Sequence, residues 1–244
     1  MKNFWSIVNA VIDEADIILL VIDARLVEQT RNKELQQKVL MKKKTLITVI
    51  NKCDLVAKES LESYKNLFHP CVFVSAHKFF GMTLLRKMIL RYAKEFPVTV
   101  GVVGYPNTGK SSIINSLKGK GSAGVSSVSG FTKGKQNIKV DNKIRVIDTP
   151  GVIAQSDDKK STSLSITASV NVKEDPDVVV FELFKTYDEQ IARYYEIEDD
   201  FSNSEELLEL IAIKLNRLKK GGEADVETTA RLILQDWQKG KIIL

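Results

Sequence analysis

Four short stretches are largely apolar and rich in β-branched residues: 17–23 (IILLVID), 45–50 (TLITVI), 71–75 (CVFVS) and 98–103 (VTVGVV). Continuous rather than alternating hydrophobicity predicts strands buried on both faces, as in a parallel sheet. Between them the apolar residues recur at helical spacing. Leu35, Val39 and Leu40 share one side of a helix over 32–40, and Leu84, Leu85, Met88, Ile89 and Tyr92 form one stripe over 82–94. Strands alternating with helices predict a doubly wound α/β sheet. Residues 136–141 and 143–148 flank Asp141-Asn142, which reads as a turn between two antiparallel strands.

The pattern changes after Gly151. Residues 154–175 are rich in Ser, Thr, Asp and Lys and read as a loop or linker. Beyond Pro176 it becomes helical. Ser202 and Glu205 are spaced as a capping box before a stripe of Leu208, Ile211, Leu215 and Leu218, and Gly221-Gly222 supplies a helix stop. A last helix starts near Asp225 with Val226, Ala230, Ile233, Leu234 and Trp237 on one face. The expected domains are therefore 1–175, an α/β unit closing with a loop at about 152–175, and 176–244, a small all-α unit. No tandem repeat is visible.

Length and composition narrow the class. At roughly 100–200 residues per domain, 244 residues allow one large domain, or a medium one with a small partner. The longest apolar run in the N-terminal part, Ile17–Ile22, is far short of the about 18 residues needed to span a bilayer. The start of the chain runs into Asp13, Glu14 and Asp16, unlike a signal peptide. Two cysteines, Cys53 and Cys71, make no disulfide framework and are too few for a zinc site, so a reducing, cytoplasmic location is expected. The net charge of +5 is unevenly spread. Residues 1–153 carry 24 Lys/Arg against 12 Asp/Glu, while 154–244 carry 12 against 19. A basic body suits a polyanionic partner such as a nucleic-acid backbone, and equally suits plain solubility; charge alone does not choose.

The chemistry is carried by five short boxes. Gly104-Tyr-Pro-Asn-Thr-Gly109-Lys110-Ser111 fits G-x-x-x-x-G-K-[ST], follows a predicted strand and runs into a helical pattern. This is the context of a P-loop. The backbone of Asn107, Thr108, Gly109, Lys110, Ser111 and Ser112 would wrap a β-phosphate at a helix N-terminus. Lys110 would bridge the β- and γ-phosphates, and Ser111 would ligate Mg²⁺. Asn51-Lys52-Cys53-Asp54 follows the strand 45–50. The Asp54 carboxylate can accept from the N1–H and N2–H₂ edge of guanine, a donor pair that adenine lacks. Asn51 can bond the purine and tie down the P-loop, and the Lys52 stem can lie along the base. Asp148-Thr-Pro-Gly151 ends a strand; Asp148 would reach Mg²⁺ through water, and the Gly151 N–H would sense the γ-phosphate. Thr132 is a candidate switch threonine for Mg²⁺ and γ-phosphate. Ser75-Ala76-His77 ends the strand 71–75, where backbone N–H groups could meet the guanine O6.

The order of these boxes is unusual. In an ordinary Ras-like GTPase the P-loop comes first and the guanine boxes last; here both guanine boxes precede the P-loop. Circular permutation is the simplest account, with the helix 82–94 joining the P-loop strand through Lys94-Glu95-Phe96-Pro97. The boxes, their order, Asp23-Ala24-Arg25, Arg31-Asn32 and the tail residues Gly221-Gly222, Asp225 and Gly240-Lys241 resemble the circularly permuted YlqF/RbgA-type GTPases, including archaeal and nucleolar members. The resemblance covers nearly the whole chain. It implies a permuted Ras-like P-loop NTPase fold and a cytoplasmic GTPase that converts GTP to GDP and phosphate; a monomer is expected. It also implies assistance to large-ribosomal-subunit assembly through rRNA, with no membrane partner. A GTP-gated RNA placeholder with negligible turnover, or a GTPase acting on another RNA, is the alternative.

The chain departs from the family at two points. Position 108 is Thr where a small apolar residue is usual. His69 and His77 are the only histidines, so the catalytic histidine of some bacterial members has no counterpart here. Val152 stands where Ras-like enzymes carry a water-orienting Gln. Slow intrinsic turnover is expected, with a K⁺ near Asn107 and bound RNA completing the site. Lys110, Thr132 and Gly151 are the expected catalytic set.

Overall fold

A computed structural model describes residues 4–119, 136–148 and 175–244. Contacts divide the chain into two compact units, one running to Asp157 and the other starting at Asp158.

The first unit is built on one six-stranded sheet. Its strands are β1 (Ile17–Asp23), β2 (Thr45–Asn51), β3 (Cys71–Phe73), β4 (Val98–Val103), β5 (Gln136–Lys139) and β6 (Ile144–Asp148), in the order β3-β2-β1-β4-β6-β5. All neighbouring pairs are parallel except β5 with β6. The helices are α1 (Phe4–Glu14), α2 (Val27–Thr30), α3 (Lys33–Met41), α4 (Lys58–Leu67), α5 (Met82–Tyr92) and α6 (Lys110–Lys118).

β1 shows why its apolar run is unbroken. Ile17, Leu19 and Val21 pack with Met82, Leu85, Ile89, Ile113, Ile114 and Leu117 of α5 and α6. Ile18, Leu20 and Ile22 pack with Val8, Val11 and Ile12 of α1, Leu35 and Val39 of α3 and Leu61 of α4 on the other face. Each buried aliphatic side chain contributes about 1.5–3 kcal/mol, so every position of the strand is held. Chain order also follows from the sheet. Beyond β3 the chain returns to the centre and adds β4 beside β1, on the side away from β2. That reversal is a topological switch point, and ligands bind there at the carboxyl ends of parallel strands.

Two stripe positions differ from expectation. Leu40 and Leu84 are 62% and 55% exposed, while Leu35, Val39, Met82, Leu85 and Ile89 fill the core. Each exposed leucine lies next in sequence to a buried one, and a helix turns about 100° per residue. α1, α2 and α4 are additions to the expected elements; α4 buries only Leu61 and so carries a faint periodic signal. The turn at 140–143 is as expected: Asp141 Oδ1 accepts the Ile144 N–H at 2.9 Å.

The second unit holds α7 (Pro176–Tyr194), α8 (Ser204–Lys214) and α9 (Val226–Lys239). Val180, Leu183, Phe184, Ile191, Leu207, Ile211, Ile233 and Trp237 are buried in it. α8 is capped one residue later than the spacing suggested. Asn203 is the N-cap and accepts the Glu206 N–H, and the Glu206 carboxylate accepts the Ser202 N–H at 2.7 Å. The Ser202/Glu205 pairing is therefore corrected to Asn203/Glu206. α8 ends at Lys214, so Leu215 and Leu218 lie beyond it and stay partly exposed, and Gly221-Gly222 does not stop it. Those glycines lie between the bridged residues Leu218 and Ala224, with Lys219 and Lys220 in the same turn, whereas Arg217 closes α8, its N–H donating to Ala212 O at 2.8 Å after Asn216 at φ 52. Asp225 caps α9 by accepting the Thr228 N–H. No helix among the described residues is long and apolar enough to cross a membrane.

Candidate nucleotide-binding site

The parallel register brings four boxes to one edge of the sheet. β2 ends at Asn51 opposite Asp23 of β1, β3 leads into Ser75-Ala76, β4 leads into Gly104, and β6 ends at Asp148 opposite Val102. Residues separated by nearly a hundred positions thus converge at the switch point.

The P-loop is shaped by its glycines. Gly109 has φ 93, and a Cβ there would collide with Asn51 Nδ2. Asn107 also takes the left-handed region, at φ 56. Thr108 is fully buried and its Oγ1 donates to Tyr105 O at 2.9 Å, so the hydroxyl serves as an internal tie. α6 begins at Lys110, its first-turn N–H groups forming a partial positive charge suited to phosphate. Lys110 is buried, its ammonium donating to Gly104 O at 3.0 Å and Tyr105 O at 2.8 Å. Burial pulls its pKa down to about 8, against an upward push from the Asp148 carboxylate. Ser111 is half-buried and Ser112 exposed on the first turn of the same helix.

Asn51 is the staple between loops. Its Nδ2 donates to Thr108 O at 2.9 Å, and its Oδ1 accepts the Ala76 N–H at 3.1 Å. One Nδ2 hydrogen and one Oδ1 lone pair remain for a purine. The Ser75 N–H donates to Phe80 O at 3.0 Å. The amides of Ser75 and Ala76 are therefore engaged within the protein, and a base oxygen would share the Ala76 N–H with Asn51. Asp54 is half-buried, with Lys78 Nζ 3.3 Å from its Oδ2. Cys53 donates its N–H to Val74 O, and burial raises its thiol pKa to about 11, so it serves as turn backbone rather than as a nucleophile.

Lys52 sits at φ 61, and its ammonium lies 2.9 Å from Asp23 Oδ2. Burial lowers the Lys52 pKa, with Asp23 pulling the other way. In the sequence Asp23 and Arg25 stand out only through the family resemblance, with no role in the site, and Lys78 does not stand out. The available signal was an acidic residue at the carboxyl end of an apolar strand. Asp148 is buried beside the P-loop strand. Thr132 and Gly151 lie outside the described residues. Among the described residues no group of three or more His, Cys, Asp or Glu is arranged to hold a metal ion. Ser111 and Asp148 offer oxygen donors, which suit a hard cation shared with phosphates.

A family model described as RsgA GTPase matches residues 2–156, and one described as 50S ribosome-binding GTPase matches residues 99–214. An uncharacterized GTP-binding protein of Methanocaldococcus jannaschii is 43% identical over 97% of this chain and 65% of its own length. Nuclear/nucleolar GTPase 2 of Oryza sativa subsp. indica is 34% identical over 99% of this chain and 47% of its own length. The chain thus spans about half to two thirds of the length of these curated relatives. The GNP-bound crystal structure of YlqF from T. maritima superposes with a TM-score of 0.65 at 26% identity, covering 97% of this chain and 93% of that one.

Proposed function

The chain belongs to the circularly permuted GTPases of YlqF/RbgA type, and from that premise we propose that it binds GTP and hydrolyses it to GDP and phosphate while assisting assembly of the large ribosomal subunit through rRNA. The supporting observation is the convergence at one sheet edge of a P-loop, an Asn-Lys-Cys-Asp turn and Asp148 from three parallel strands in permuted order.

In this reading the P-loop amides and Lys110 bind the phosphates, exchanging the Gly104 and Tyr105 carbonyls for phosphate oxygens. Asp54 reads the guanine edge and Asn51 holds the purine to the P-loop. Ser111, Asp148 and Thr132 would hold Mg²⁺, which when bound neutralises phosphate charge. Gly151 would register the γ-phosphate. Asn107, half-exposed in its left-handed turn, would help bind K⁺. We take 1–175 as the GTPase domain and 176–244 as a helical appendage, in a cytoplasmic monomer. The basic body is the RNA-facing part, and Lys214, Arg217, Lys219 and Lys220 add a local basic patch.

The test is co-sedimentation with large ribosomal subunits, together with GTP turnover in K⁺ and in Na⁺, with and without subunits. Association only with a non-hydrolysable GTP analogue, and turnover raised by subunits and K⁺, are expected. Equal, fast turnover in all four conditions would contradict the reading. A variant that binds GTP without cleaving it separates the alternatives: retention on the subunit supports a hydrolysis-driven release, and normal assembly supports a placeholder.

A further inference from the structure

Two buried charges, Asp23 and Arg25, lie beside the nucleotide boxes and belong to none of them, and they hold a third, Lys52, that belongs to the guanine box. Asp23 ends β1, and its carboxylate takes four donors. Oδ1 accepts the Arg25 backbone N–H at 3.0 Å and the Arg25 Nε–H at 3.1 Å. Oδ2 accepts Arg25 Nη2–H at 2.9 Å and faces Lys52 Nζ at 2.9 Å. A carboxylate offers about four lone-pair sites, so these contacts saturate it. Its backbone is fixed as firmly: the Asp23 N–H donates to Thr30 Oγ1 at 3.1 Å, and the Ala24 N–H donates to Asn51 O at 2.8 Å.

This arrangement is expensive to fold. The Asp23 and Arg25 side chains are only 2% and 1% exposed, and Lys52 follows at 16%. Apolar residues of similar volume often stabilise a fold as well as a buried ion pair does. Lys52 also holds a left-handed backbone that a long side chain seldom adopts. Backbone outliers of this kind cluster at functional sites.

The chemistry of the Asn51–Asp54 turn supplies a reason. Lys52 stands two residues from Asp54, whose carboxylate must stay open to the guanine edge. A mobile ammonium there would pair with Asp54 and compete with the base. We propose that Asp23, gripped by the Arg25 fork, is a positioning residue of the guanine site: it captures the Lys52 ammonium, lays the Lys52 stem against the base plane and keeps that ammonium off Asp54, leaving Asp54 to the exposed, displaceable Lys78. Alternating charges then run from Arg25 through Asp23, Lys52 and Asp54 to the exposed Lys78 at the rim, 3.3 Å from Asp54. The proposal rests on reading residues 51–54 as the guanine box.

The test is a double-variant cycle on the full chain, with GDP affinity measured by titration calorimetry. Asp23→Asn frees Lys52 and is expected to weaken GDP binding about tenfold or more. In a Lys52→Met background no ammonium remains to be captured. Asp23→Asn/Lys52→Met should therefore match Lys52→Met alone, to within about twofold. Competition by inorganic tripolyphosphate, which reports the P-loop only, should be the same in every variant. Arg25→Lys keeps the charge but removes the fork, and serves if Asp23→Asn melts too early. It should weaken GDP several-fold and be silent in the Lys52→Met background. Unchanged GDP affinity in Asp23→Asn and Arg25→Lys overturns the proposal. So do additive losses in the double variant, or tripolyphosphate losses parallel to those for GDP, as a merely structural role would give. If the unsubstituted chain prefers GDP over ADP while those results hold, only the positioning role falls; if it shows no such preference, the guanine-box reading falls first.

Discussion

Lys110 carries the balance between binding and stability at a single residue. Its ammonium is buried against two P-loop carbonyls, and its pKa is drawn down to about 8 from the ordinary 10.5. Below about pH 8 the lysine is charged in both the folded and the unfolded chain, and the burial penalty is fully present. Between about 8 and 10.5 the unfolded chain holds more protons than the folded one, so stability rises with pH. The gain across that window is on the order of 3 kcal/mol. Denaturant unfolding of the nucleotide-free protein should show this rise, and Lys110→Met should lack it. Parallel pH profiles for the two proteins would remove the argument. Lys110→Met should also abolish phosphate binding, because the charge that replaces the carbonyl contacts is gone.

At the scale of elements, the P-loop and the β2 turn are one piece of structure joined by Asn51. Gly109→Ala would place a methyl group on Asn51 Nδ2 at a backbone angle an L-residue resists. It should break the bond to Thr108 O and lower nucleotide affinity by about a hundredfold, with a modest drop in thermal stability. Calorimetry with GDP checks the first effect and thermal unfolding the second; wild-type affinity in Gly109→Ala would show that the staple does not shape the loop. The parts of this piece that were legible in the sequence had strong local signals. β1, β2 and β4 were readable because both faces are buried, and the P-loop because its glycines and lysine have fixed spacing. Less was legible where tertiary packing decided. Leu40 and Leu84 look like core residues yet face outward. The α8 cap falls one residue late because Asn203, extended at φ −158, is the residue whose side chain accepts the Glu206 N–H. The Asp23–Lys52 pair joins two strands 29 positions apart, a juxtaposition set by register rather than by local pattern.

Across the whole molecule, box order and charge distribution carry the functional reading. The central strand of the sheet beside the switch point is the fourth in sequence, which is what a permuted Ras-like chain requires. Under the proposed function, the excess of 24 basic over 12 acidic residues in 1–153 makes that part of the chain the main expected polyanion contact. Binding to large-subunit RNA should then weaken steeply with salt, by about a thousandfold between roughly 50 and 200 mM if six or so phosphates are contacted. Filter binding across that range measures the slope, and a flat profile would argue that the basic excess serves solubility alone. The central claim is that the rotated boxes form one guanine-specific site. Titration with GDP, ADP and xanthosine diphosphate, on the unsubstituted chain and on Asp54→Asn, addresses it most directly. GDP should bind at least about a hundredfold tighter than ADP, and Asp54→Asn should shift the preference toward xanthosine diphosphate. Equal affinity for GDP and ADP, or a preference unmoved by Asp54→Asn, would contradict it.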